Sequence, residues 1–466
     1  MPHAARVGLL PMYLELYDRV LPEMRPAFSP FLAEVRDQFQ RRGVHVLQES
    51  ICRTQDEFAA AVNRIEHADV DILVTLHLAY SPSLESVDVL ARTSLPLLLL
   101  DTTMDAAFGV GTDSKRIQYN HGIHGVQDLA SALLRRRRTF SIVAGHWRIS
   151  ALFDRAVSHV RSAAAARALR RMKVLRIGES FKGMGDFYVE EDELKNRLGI
   201  EVLQADTRPM TRAAGEIPED EVIEEVQADQ RRYAVEVSDE VHRRSVRAGL
   251  ALRRVTDAAG CGACSFNFLA FESNREPLST PPFLGASKMM AERYGYAGEG
   301  DVLTAALVGG LARSYLVNFT EMFCPDWEGN AIFLSHMGEF NPECAEGTVS
   351  LVEKDFPFTE ALNPAILVGA MKQGPAVLVN LAPGPDDTFR LLAAPVDIQP
   401  DTDRADMRQI VRGWFRVPTD VAAFLEWYST NGGTHHCALV HDASLEAIAD
   451  FASYCGIPCA VQSVVR

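Results

Sequence analysis

From the N-terminus, short apolar runs alternate with stretches in which apolar residues recur every three or four positions. Residues 7–12, 71–76, 95–101 and 140–144 have strand texture, and 31–43, 56–67, 84–92 and 121–138 have helix texture. This alternation is the βαβ signature of a parallel sheet covered by helices. The four arginines at 135–138 close the last of these helices, where cations complement the helix dipole, and read as a solvated turn.

An Ala- and Arg-rich helix at 151–171 leads into a strand at 173–178, the first of a new sheet, so a domain boundary is placed near 170. Pro218 followed by Glu219, Asp220 and Glu221 marks a helix start with acids at the positive end of its dipole. Helices towards 258, a strand at 265–271 and helices at 284–294 and 301–314 complete a second α/β unit. Beyond 315 the texture changes to short alternating strands at 317–323, 331–337, 348–352, 365–371, 376–381 and 389–393. Turn signals such as Pro383-Gly384-Pro385 separate them, which predicts a sandwich or a barrel. Helices at 419–430 and 443–454 flank a strand at 435–440. The expected fold is α/β in three domains. Two are Rossmann-like, at 1–170 and 171–314, and the third, at 315–466, is β-rich and barrel-like.

At 466 residues a single small module is excluded. A formal charge of -15 makes nucleic acid and anionic membranes poor partners. No apolar run reaches membrane-spanning length and no signal-peptide pattern opens the chain, so a soluble, cytoplasmic protein is expected. Eight scattered cysteines are too sparse for a disulfide scaffold and are expected as thiols. Cys261 and Cys264 have C-x-x-C spacing, but no second pair accompanies them and the segment reads as the start of a buried strand.

Three segments put polar groups where the pattern asks for apolar ones. Along 317–323, a period of two places Val317, Phe319, Glu321 and Phe323 on one face, so a carboxylate shares an apolar surface. Either a cation or hydrogen-bond donors compensate Glu321, or it sits at a strand end and reaches solvent. In the next strand His336 shares a face with Ile332 and Leu334. His435 and His436 are adjacent and should point to opposite faces, both otherwise apolar, so periodicity does not choose between them. Glycines at 295, 298 and 300 allow a sharp bend around Glu299, and Asp301 is a plausible N-cap for the following helix. Two glutamates and two histidines together make the mixed oxygen and nitrogen set suited to Mn²⁺ or a similar divalent ion.

These segments carry a resemblance to the bacterial L-arabinose isomerases and the wider L-fucose/L-arabinose isomerase group. Tyr294-Gly-Tyr-Ala-Gly-Glu-Gly-Asp301, with Thr304-Ala-Ala-Leu307 after it, is similar to the family segment holding one metal-binding glutamate, which falls on Glu299. Phe319-Thr320-Glu321-Met322 resembles the segment of the second, Glu321. Ser335-His336-Met337 and Gly432-Gly433-Thr434-His435-His436 look like the two metal-histidine motifs, with His336 and His436 as ligands. In the N-terminal region Asn120-His121-Gly122-Ile123-His124-Gly125 and Gly145-His146-Trp147 resemble family segments at comparable positions. The substrate-facing histidine that a neighbouring subunit contributes would be His124. His121 stands where arabinose isomerases usually have Gln, and Phe323 replaces an aromatic hydroxyl near the second glutamate. These departures leave the sugar open.

The resemblance implies metal-dependent aldose–ketose isomerisation of a free pentose, hexose or deoxy sugar. Mn²⁺, or another divalent ion such as Co²⁺ or Mg²⁺, would sit on Glu299, Glu321, His336 and His436. Glu299 and Glu321 would be the acid/base pair, and His124, His435, His121 and Phe323 the substrate contacts. It further implies a homo-oligomer built on trimers, a trimer or a hexamer, with shared active sites. The rival readings are a sugar or sugar-acid epimerase on the same enediolate chemistry, and a non-catalytic sugar-binding relative.

Overall fold

The computed structural model describes residues 4–402 and 404–462. The chain divides into two compact units, 1–164 and 165–466.

The first unit is built on five parallel strands: β1 (Arg6–Met12), β2 (His45–Gln48), β3 (Ile72–His77), β4 (Leu97–Asp101) and β5 (Ser141–Ala144). They lie in the order 2-1-3-4-5. Every residue of β3 is buried, as a central strand covered on both faces requires. The helix Gln55–His67 follows Thr54, carries Asp56 and Glu57 in its first turn, and buries Phe58, Ala61, Val62 and Ile65. That i, i+3, i+4, i+7 stripe packs on Leu10, Leu73 and Leu99 of the sheet. The helix Ile123–Arg135 buries Val126, Leu129 and Leu133 in the same core, and its exposed Arg136 pairs with Asp88 just past the last turn.

The second unit holds β6 (Lys173–Ile177), β7 (Glu201–Ala205), the two-residue β8 (Ala234–Val235), β9 (Ala263–Phe266) and β10 (Gly295–Gly298). All but β8 form a parallel sheet in the order 10-9-6-7. Two corrections to the sequence reading arise here. The strand expected at 265–271 ends at Phe266, because the Asn267 side chain accepts the Leu269 N–H and turns the chain into a 3-10 segment, Phe268–Ala270. The glycine-rich segment expected only to bend also contains a strand, β10. Gly295 lets it lie against the fully buried helix Val302–Ala312: a Cβ there would come within 2.2 Å of the Ala305 carbonyl oxygen.

The remaining strands are β11 (Val317–Asp326), β12 (Ala331–Ser335), β13 (Ala345–Glu353), β14 (Ala365–Met371), β15 (Gly374–Pro383), β16 (Phe389–Ile398), β17 (Gly413–Arg416), β18 (His436–Val440) and β19 (Cys459–Val461). Six of them pair antiparallel in the ring 15-18-11-12-17-16, and β15 pairs with β16 to close it. Of the two expected all-β forms the protein adopts the barrel, which leaves those six strands without a free edge. β13 and β14 pair apart from it, with β8 added at their margin.

All eight cysteines are free. Cys264 lies buried on β9 and Cys261 is buried just ahead of it; burial pushes their thiols up, to about 12 and about 11. The pair is structural, as the strand reading implied. Among the described residues, no helix is long and apolar enough to cross a membrane.

Candidate functional site: a cluster of carboxylates and imidazoles

Three neighbouring barrel strands bring three of the predicted groups together. On β11, Glu321 lies opposite His436 of β18 on one side and Ser335 of β12 on the other. Directly opposed residues of antiparallel strands share a face, so Glu321 and His436 point the same way. His336 follows Ser335 immediately. Phe319, two residues before Glu321, packs on both imidazoles: its ring centre is 4.6 Å from that of His336 and 5.0 Å from that of His436, whose own centres are 5.7 Å apart. The pattern then breaks. The β11–β12 register shifts between Met322 and Cys324, a bulge that takes Phe323 off the alternation, and Phe323 is 50% exposed.

The fourth group comes from the carboxyl end of the parallel sheet, where ligand sites of such sheets commonly lie. Glu299 follows β10 with φ of 64°, and Gly300 follows it with φ of 80°. A non-glycine residue in this left-handed region costs about 1–2 kcal/mol. Packing and one hydrogen bond hold it there. The Phe181 N–H donates to the Glu299 carbonyl at 2.9 Å, and a Cβ on Gly300 would fall 2.7 Å from the Ser180 Cα. On the other side, a Cβ on Gly298 would stand 3.0 Å from Cε1 of His336.

Glu299 Oε2 lies 3.5 Å from His436 Nε2 and 3.6 Å from His435 Nε2. Glu321 Oε1 lies 3.6 Å from His435 Nε2, and Glu321 Oε2 lies 3.9 Å from His336 Nε2. These separations exceed a normal hydrogen bond. In two overlapping groups, Glu299–His435–His436 and Glu321–His336–His436, the ligand-capable atoms all lie within 4.8 Å of one another. Burial works against ionised Glu299, but His435, His436 and His336 beside it outweigh that and hold its carboxyl below the usual range.

Each ring carries a carboxylate on its far nitrogen. His436 Nδ1 is 3.0 Å from Asp301 Oδ2, both side chains fully buried, while Asp301 Oδ1 caps the helix Val302–Ala312 by accepting the Thr304 N–H at 2.9 Å. His336 Nδ1 is 2.7 Å from Glu339 Oε2, and Glu339 Oε1 accepts from the Tyr296 hydroxyl at 2.5 Å. Burial opposes protonation of His336, yet Glu339, then Glu321 and Glu299, raise its pKa. A carboxylate at Nδ1 orients the ring so that Nε2 faces inward, as in metal sites where an acid orients a ligating histidine. His436 Nε2 and Glu299 Oε2 are buried with no hydrogen-bond partner, an expensive state for polar atoms unless a cation joins them.

One expectation needs correction. Adjacent histidines were expected to face opposite ways, yet both His435 and His436 turn an Nε2 towards Glu299, their ring centres 4.2 Å apart. The reason is that β18 begins at His436, so His435 precedes the strand and escapes its alternation. His435 Nδ1 is instead 2.6 Å from Asp186 Oδ2. Burial disfavours its cation, but Asp186, Glu299 and Glu321 raise its pKa to about 10.

His121 and His124 belong to the first unit. His121 Nε2 is 2.9 Å from the Tyr17 hydroxyl, and exposed His124 stands in the first turn of Ile123–Arg135 with its ring 5.8 Å from that of His121. Asp186 and Glu339 were not foreseen from the sequence, and Asp301 was foreseen only as a cap. The H-x-x-E spacing of His336 and Glu339 is a signal that could have found the second of these.

The family model for the L-arabinose isomerase central domain matches residues 173–313, and that for the L-arabinose isomerase C-terminal domain matches residues 316–458. Between them the two models take up more than half of the chain. An L-arabinose isomerase of Herpetosiphon aurantiacus is 24% identical over 95% of this chain and 90% of its own length. One of Nocardioides sp. is 27% identical over 83% of this chain and 79% of its own, and one of Escherichia coli (strain K12) is 24% identical over 86% and 82%.

Proposed function

Because the chain belongs to the L-arabinose isomerase family, we propose that it is a metal-dependent aldose–ketose isomerase acting on a free pentose, hexose or deoxy sugar through an enediolate. The observation that carries this reading is the clustering of Glu299, Glu321, His336 and His436 in two overlapping groups that share His436, with two buried polar atoms there lacking partners. In the proposed division at 170 and 314, the central domain supplies Glu299 and the C-terminal domain the rest.

The donor set fits a divalent ion of the Mn²⁺, Co²⁺ or Mg²⁺ kind: two carboxylates, two imidazoles and no thiolate. When bound, such an ion supplies Lewis acidity towards the oxygens of the sugar. Glu299, Glu321, His336 and His436 would hold it. The two glutamates also act as the acid/base pair. One removes the proton from C2, the other moves a proton between O1 and O2, and the first returns its proton to C1. His435, between both carboxylates, contacts the substrate.

A panel of aldoses assayed for ketose in the presence of Mn²⁺ tests the proposal, with deuterium exchange at C2 followed in D₂O. Exchange with ketose formation is the expected result. Exchange without ketose would replace isomerisation by epimerisation, and no exchange with any sugar would leave a binding protein.

We also propose that the active form is an oligomer, trimer-based, in which exposed His124 serves a neighbouring subunit's site. An inactive His124→Ala chain mixed with an inactive Glu321→Gln chain should then regain activity, because some interfaces pair an intact His124 with an intact Glu321. Recovery should reach about a quarter of the wild-type rate if subunits mix at random and each such interface works independently. No recovery after demonstrated subunit exchange would defeat the shared site.

A further inference from the structure

The segment 178–190 leaves the end of β6 and returns across the start of β18 within the same unit. It is rich in glycine, with Gly183 at φ of 99° and open space beside both Gly183 and Gly185. Its anchor is Phe187, 2% exposed, whose ring lies nearly parallel to that of His436 with centres 5.4 Å apart. This stacking delivers the preceding residue, Asp186, to His435. A single oxygen of Asp186 accepts two hydrogen bonds from that one residue: the backbone N–H of His435 at 3.0 Å and its ring Nδ1 at 2.6 Å.

Resting on the isomerase reading above, we propose that Asp186 is a positioning residue that sets the His435 ring so that Nε2 meets a sugar hydroxyl held between Glu299 and Glu321. His435 stands outside β18, so the strand does not orient it. The Asp186 oxygen does. With Nδ1 held on that side, Nε2 faces Glu299 Oε2 and Glu321 Oε1, 3.6 Å from each. A ring nitrogen at that point reaches the substrate atoms on which both carboxylates work, and displacement by about 1 Å can cost as much as 10²-fold in rate. The Asp186–His435 pair is a third open, being 38% and 33% exposed, so a loss near tenfold is expected rather than the upper end of the range for such orienting groups.

The geometry separates positioning from charge. In Asp186→Asn the backbone N–H of His435 still requires an oxygen, so the amide oxygen takes that place and can accept from Nδ1 as well. Asp186→Ala leaves both donors without it. The test measures three quantities in wild type, Asp186→Asn, Asp186→Ala and His435→Gln: nitrogen-15 NMR of histidine-labelled protein, Mn²⁺ affinity by calorimetry, and kcat and KM on the aldose that the panel identifies. The expected result is a wild-type His435 signal showing a hydrogen-bonded Nδ1–H, kept in Asn and lost in Ala. Mn²⁺ affinity should stay within about threefold in all four proteins, with kcat/KM reduced about tenfold in Ala and less than threefold in Asn. Three results would overturn the proposal: an unchanged His435 signal in Ala, wild-type kcat/KM in Ala, or a fall in Mn²⁺ affinity in His435→Gln, which would make His435 a ligand. The NMR measurement needs no turnover. A wild-type protein inactive on every aldose would therefore defeat the isomerase reading, and the fate of the Nδ1–H in Ala would still decide whether Asp186 holds His435.

Discussion

Glu321→Gln is expected to lower kcat on the active aldose by about 10³-fold, within the range that a positioned proton-transfer group supplies, while the protein keeps its fold. Glutamine preserves the length and planarity of the side chain, and Glu321 is 22% exposed on β11, so the change opens no cavity in the barrel. It removes a base from beside His336 and His435, 3.9 and 3.6 Å away. Loss of a ligand charge should also weaken Mn²⁺ binding, so the comparison is made at saturating metal, where a deficit in occupancy disappears and a deficit in proton transfer persists. Circular dichroism and the thermal midpoint, expected within about 3 °C of wild type, check the fold. A wild-type rate at saturating Mn²⁺ would remove Glu321 from the mechanism.

The distinction between what a chain's own pattern reveals and what only its neighbours decide runs through this site. Phe319 and Glu321 were readable as one face of β11 because alternation is local. Phe323 was placed on the same face by the same rule, but the bulge after Met322 arises from pairing with β12, which the pattern of β11 does not contain. Likewise the alternation rule misjudged His435 only because the strand begins one residue later. The glycines before Glu299 were read only as allowing a bend around it, whereas Gly295 is needed within β10 for close approach of the helix Val302–Ala312. Long-range partners were the least legible. Asp186 lies 249 positions from His435, and nothing in its glycine-rich surroundings announces that partner.

The mixed architecture was legible for a different reason. Central parallel strands are buried on both faces and read as largely apolar runs, as β3 and β4 do, while the barrel strands are short, closely spaced and separated by turn residues. A sandwich or a barrel was readable, but not the pairings that close the ring, those of β15 with both β16 and β18. That closure bears on function because it sets β18, β11 and β12 side by side, and so His436, Glu321 and His336 in one cluster.

Asp301 joins the two architectures, and its substitutions should separate metal binding from stability. One of its oxygens caps a fully buried helix and the other holds Nδ1 of His436. Asp301→Ala removes both interactions. Losing the cap costs about 1 kcal/mol, and leaving a buried ring nitrogen without a partner costs about 1–3 kcal/mol more, so a marked drop in thermal midpoint is expected together with a fall of about 10–100-fold in Mn²⁺ affinity. Asp301→Asn should behave differently. Asparagine is as good an N-cap as aspartate, so its oxygen keeps the Thr304 N–H and stability stays near wild type. Its amide NH₂ then faces His436 Nδ1, a donor opposite a donor. The ring relieves this by moving its proton to Nε2, the atom that must be bare to ligate a cation. Calorimetric titration of Mn²⁺ into both variants should therefore show weakened binding in each, with the thermal midpoint lowered in Ala alone. Wild-type Mn²⁺ affinity in Asp301→Asn would mean that Asp301 does not set the His436 tautomer and that its carboxylate serves the helix only.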